Sequence, residues 1–142
     1  MFSRRFALLL CLVVLGAASA LAQNAYTPQT GSPERKAIVD AIRGPAEKEI
    51  GFNVIFKVDV LKVGGKWAFA RVVPIHPDGS AINWNRTKFG EVYKNGGFDP
   101  QGEALLRRDG DDWRVVEWKF GGTDASGPYW AGKYRLPKGV AE

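Results

Sequence analysis

The apolar positions of this chain change period once, and that change constrains its fold more than any other feature. Ile38, Val39 and Ile42 recur at helical spacing, while Glu34, Arg35, Lys36, Asp40 and Arg43 fall mainly elsewhere, so one stripe of a helix is apolar. From Phe52 the period becomes two, with Val54, Phe56, Val58 and Val60 alternating against Ile55, Lys57, Asp59 and Leu61. Gly64-Gly65 turns this strand into a second one over residues 66–73, where Trp67, Phe69 and Arg71 alternate with Ala68, Ala70 and Val72. Alanines are poor strand formers, so Ala68 and Ala70 predict a face that something large, such as the helix, approaches closely. Residues 104–108 and 112–120 predict a second hairpin around Asp109-Gly110-Asp111, whose acids suit a turn with positive φ better than a calcium site lacking further ligands.

Ser32-Pro33-Glu34 starts the helix: the hydroxyl can cap a free amide, proline suits the first position, and the carboxylate complements the positive end of the dipole. Gly44-Pro45 predicts a kink, followed by a further turn to Ile50 closed by Gly51. The connection from His76 to Gln101 is long for plain loop and predicts a short strand near residues 88–93. Ser126-Gly127-Pro128 can start a short helix to Tyr134. Apart from the two hairpins there is no internal repeat.

Residues 1–22 read as a cleavable export signal. Arg4 and Arg5 precede an apolar run from Phe6 to Ala18, and Ala20-Leu21-Ala22 fits a small-x-small cleavage site. The run is short for a membrane span, which needs roughly 20 apolar residues. Ser3-Arg4-Arg5-Phe6 partly matches a twin-arginine box, but the short charged region and the leucine-rich core favour the general secretory route. Cys11 lies within the apolar core without the small neighbour of a lipobox, so no lipid anchor and no stable membrane anchor after cleavage is expected. It is also the only cysteine, and the exported chain would therefore depend on a packed core rather than disulfides. Cleavage also removes two arginines, leaving 18 basic against 15 acidic residues, a balance that argues against nucleic acid as a partner. The division expected is a signal peptide at 1–22, a flexible lead at 23–31, one α+β domain at 32–137 and a tail at 138–142.

Ser32-Pro33-Glu34-Arg35-Lys36-Ala37-Ile38, Gly65-Lys66-Trp67-Ala68-Phe69-Ala70-Arg71, and Ala104-Leu105-Leu106-Arg107-Arg108-Asp109 followed by Trp113-Arg114-Val115 resemble a family of small exported bacterial proteins of unknown function. The helix-then-meander order resembles the cystatin-like and nuclear-transport-factor-2-like group. That resemblance implies a cystatin-like roll, a curved antiparallel sheet of four to five strands packed on one kinked N-terminal helix. The matching motifs are structural and carry no catalytic residue over.

His76 is the only histidine and the only imidazole base available. Its position at a strand end before Pro77-Asp78-Gly79 favours a surface residue, and one histidine cannot build a zinc site. Ser32, Ser80 and Ser126 stand in cap or turn contexts, and the glycine pairs lack the Lys-Ser/Thr of a phosphate loop. No metal or cofactor is expected. The candidate binding residues are aromatic with adjacent cations: Trp84, Arg86, Phe89 and Tyr93 in the long connection, and Tyr129, Trp130 and Tyr134 near the C-terminus. Asn85-Arg86-Thr87 is a glycosylation sequon, meaningful only in a eukaryotic secretory route. These features favour an exported binding or interaction protein for a protein, peptide or glycan of the cell envelope. The rival is a small enzyme with an acid–base site in the cone between helix and sheet, using His76, Asp99 or Asp124. Exposed sheet faces in this fold group often pair, so the resemblance implies a possible homodimer, an expectation that Lys57, Asp59, Arg71 and Glu117 on the strands weaken.

Overall fold

A computed structural model describes residues 24–142; the expected signal peptide lies outside the described residues. Helix α1 spans Pro33–Ile50. The Ser32 hydroxyl accepts the Arg35 amide at 3.2 Å, and at the other end Gly51 takes φ 96° so that its N–H reaches the Glu47 carbonyl. As the expected further turn to Ile50 requires, Pro45 does not end the helix. It costs one backbone bond, but Ile38, Ile42, Ala46 and Ile50 form one buried stripe that holds both halves against the sheet.

The sheet is a four-stranded antiparallel meander in the order β1-β2-β3-β4, made of β1 (Ile55–Gly64), β2 (Trp67–Ile75), β3 (Asp99–Asp109) and β4 (Asp112–Gly121). Both predicted hairpins are present, β3 starting earlier than expected and β1 later. Ala68, Ala70, Ala104 and Leu106 pack with Ile38 and Ile42, so the alanines do mark the close approach of the helix. A bulge between Val58 and Val60 corrects the simple alternation assigned to β1. Phe56 and Val58 face α1, Val60 turns to the opposite face, and Leu61 and Val63 return to the α1 side. Gly102 faces α1 as well, and a Cβ there would overlap the Trp118 ring.

The segment predicted as a strand at residues 88–93 instead holds a short helix, α2 (Gly90–Lys94), after a 3-10 turn at Trp84–Arg86. The Thr87 hydroxyl decides this, donating to the Trp84 carbonyl at 2.7 Å and accepting from the Phe89 amide at 3.2 Å, which coils the chain locally.

Helix α3 (Gly127–Tyr134) and the C-terminal residues cover the face of the sheet opposite α1. Trp130 packs edge-on to Phe69 at 6.2 Å, Tyr134 lies against Trp67 at 5.3 Å, and Val140 and Ala141 are buried with Leu105. The chain is therefore layered helix, sheet, helix. Ahead of α1, Tyr26 exchanges two 2.8 Å backbone bonds with Val63 and caps part of the β1 edge.

Candidate functional site

Registers place Arg71, Glu103 and Lys119 in one row across β2, β3 and β4, on the α3 face. Glu103, at the centre, is only 7 % exposed. Its Oε1 accepts from Arg71 Nε and Nη2 at 3.2 and 2.9 Å, and its Oε2 accepts the Ser126 amide at 2.6 Å. A buried carboxylate requires such partners, and here one guanidinium and the first turn of α3 supply them. Glu103 thus fixes where α3 begins.

Beside this row lies a cavity of about 150 Å³, lined by Arg71, Asp99, Gln101, Glu103, Lys119 and Asp124. A wider recess of about 390 Å³ shares Lys119 and Ala125 with it and continues along Glu117, Ser126, Tyr129 and Trp130. The two make one groove between β4 and α3. Ser126 is 6 % exposed, yet among the described residues its hydroxyl has no hydrogen-bond partner. Tyr129, at the rim, is 69 % exposed. At the far wall Glu117 accepts from Lys133 at 2.7 Å and from the Tyr134 hydroxyl at 2.6 Å. The Lys133 bond, then the Tyr134 bond, holds the Glu117 carboxyl below the usual range, and Glu117 in turn raises Lys133 and Tyr134.

The aromatic residues singled out from sequence do not form one surface. Trp84 is 5 % exposed and sits at the centre of a cluster with Phe89, Phe98 and Phe120, at centroid separations of 5.5–6.0 Å. Phe89 stacks on Phe98 at 4.9 Å, and Tyr93 meets Phe98 edge-on with its outer side in solvent. Arg86 is exposed beside a shallow hollow lined by Phe52, His76, Ile82, Asn83 and Thr87. On the other face Trp130 is buried at 5 % exposure, Tyr134 is half-buried, and only Tyr129 stands free. Trp84 and Trp130 are thus corrected from contact residues to core: each closes one layer of the sheet.

The cone expected to hold acid–base chemistry is occupied. Ala46, Ile50, Val54, Ile82, Trp84 and Phe98 fill it, with Phe52, Phe56, Trp118 and Phe120 packed around them. His76 lies at its mouth with its ring 5.9 Å from Phe52, whereas Asp99 and Asp124 line the cavity on the α3 face. Among the described residues no group of three or more His, Cys, Asp or Glu is placed to hold a metal ion, and no helix is long and apolar enough to cross a membrane.

Glu103 and Ser126 were missed because Glu103 falls just before the strand expected at 104–108 and Ser126 reads as an ordinary helix start. A signal was present in β2 and β3, where Phe69 and Leu105 are apolar on the face that alternation assigns to solvent. Two-sided apolarity marks a strand covered on both faces. Compared with known protein families, curated proteins and solved structures, the chain matches none.

Proposed function

We propose that this chain is an exported single-domain binding protein of the periplasm or extracellular space, which takes a peptide or glycan of the cell envelope into the groove between β4 and α3. The observation that carries the reading is the groove itself, floored by the buried Ser126 and Trp130 and rimmed by the exposed Tyr129 ring. Tyr129 offers an apolar plate with a polar tip, and Asp99, Asp124, Gln101 and Lys119 supply donors and acceptors of both kinds. The half of the fold made of α1 and the sheet is, in this reading, a cystatin-like roll to which α3 adds a second layer. Sequence supports export through Arg4, Arg5 and the run to Ala22.

The test places a photo-crosslinking amino acid at Tyr129, with Val92, exposed on α2, as the control position in cells carrying the full chain. Adducts formed at 129 and not at 92, on a protein whose N-terminus begins at Gln23, support the proposal, and the adduct mass separates peptide from glycan. Equal labelling at both positions, or a chain retaining residues 1–22, refutes it.

A further inference from the structure

A second site lies at the opposite end of the sheet, where the β1–β2 and β3–β4 turns run side by side and the Arg108 amide donates to the Lys66 carbonyl at 2.7 Å. Register sets Trp67, Arg107 and Arg114 in one row across β2, β3 and β4. Helix α3 reaches this row only as far as Trp67, through Tyr134, and leaves both arginines uncovered. Like charges directly opposite in a sheet destabilise it, so the Arg107/Arg114 pair is a cost to the folded chain.

These side chains border a recess of about 530 Å³ with Lys66, Arg108, Asp109 and the exposed Val116. Four cations thus face one carboxylate. Arg108 is taken by Glu34 at 2.7 Å, and Arg114 reaches Asp109 only at 3.5 Å with both side chains largely exposed. Asp112 pairs in register with Asp109 at the hairpin tip, yet neither gives Arg107 an ion pair. Among the described residues Lys66 and Arg107 have no carboxylate within 4.0 Å. The Arg107 guanidinium instead lies 5.5 Å from the centre of the Trp67 ring, a cation–π contact that leaves its charge unneutralised.

We infer that this corner binds a phosphomonoester dianion, with Lys66 and Arg107 matching its two charges. Arg107 and Arg114 offer planar forks for bidentate contact with its oxygens, and Lys66 a point charge. Val116, bulged outward where β4 shifts register, gives the alcohol part an apolar seat. The ligand chemistry is shared by soluble phosphorylated small molecules and by the headgroup of phosphatidic acid. The site is independent of the groove beside Ser126.

Glycerol 1-phosphate, with glycerol and sodium chloride as controls, is titrated into the protein while backbone amides are followed by NMR. A second arm measures sedimentation with phosphatidylcholine vesicles with and without phosphatidic acid. Saturable shifts at Lys66, Arg107, Arg114 and Val116, or sedimentation dependent on phosphatidic acid, support the inference when Lys66→Gln and Arg114→Gln each weaken the response about tenfold or more. The arm that responds identifies the source. Lys66 lies in a turn and Arg114 on an edge strand, so both variants keep the core intact. Response in neither arm, or a response unchanged in both variants, overturns the assignment.

Discussion

Replacing Trp84 with Ala separates a core role from a contact role. The side chain touches three aromatic partners, Phe89, Phe98 and Phe120, and closes the layer between the C-terminal half of α1 and the sheet. Truncating a buried Trp to Ala costs about 3–5 kcal/mol, and aromatic pairs add about 0.5–1.5 kcal/mol each beyond area, so the upper end of the range applies. A domain of this size has about 5–15 kcal/mol in total, so the variant folds but with much of its margin gone. The expected fall in Tm is roughly 10–25 °C, with a urea midpoint lower by about 2 M and an unchanged slope. Trp84→Phe recovers most of this loss, because the neighbouring rings keep an aromatic partner. Thermal and urea unfolding, followed by far-UV circular dichroism, make the measurement. A Tm within a few degrees of the parent would refute the core assignment and return Trp84 to the surface role its sequence context suggested.

Two other outcomes follow from the α3 face. Ser126→Ala removes a buried hydroxyl that neither caps the helix nor finds a partner, so it raises stability by about 1 kcal/mol, measurable as a higher urea midpoint; a loss of stability would show that the hydroxyl is satisfied. The Glu117 network gives α3 docking a defined pH window. The carboxyl is held below its ordinary value of 4.5, so its contribution is present above that value and is lost as pH falls through the folded one. Lys133 and Tyr134 are raised from 10.5 and 10.0, so their contributions are present below those values and are lost as pH rises through the folded ones. The protection factors of the α3 amides should therefore fall on both sides of the window, and Glu117→Gln should flatten the acid side; an unaltered acid slope in that variant would exclude Glu117 as its source.

The hairpins were legible because their turns are local. Gly65 and Gly110 adopt φ of 57° and 62°, a requirement visible in two or three residues. The start of α1 at Ser32 and the close approach at Ala68 and Ala70 were legible for the same reason, since each is a property of one element or of side-chain size. What escaped the sequence depends on two elements at once. The bulge after Val58 changes which residues face α1 without leaving a distinctive residue behind. Trp84 and Trp130 have the flanking polar residues of a surface aromatic, and only the layer placed over each one buries it.

The two faces of the sheet answer different demands. The α1 face is filled by aliphatic and aromatic side chains, with Ala68, Ala70 and Ala104 where the helix lies closest. The α3 face carries a buried carboxylate, an orphan hydroxyl and rows of charge at both ends, although Phe69 and Leu105 show that apolar residues pack there equally well. Replacing a buried ion pair by apolar residues of like volume is often neutral or stabilising, so stability alone does not call for Arg71 and Glu103. Their effect is to pin the first turn of α3 through Ser126, which sets the height of the helix above β4 and with it the width of the groove. The polar cost is concentrated where the fold leaves space, and the geometry there is fixed by the fold alone, which is the preorganisation that the proposed binding role requires.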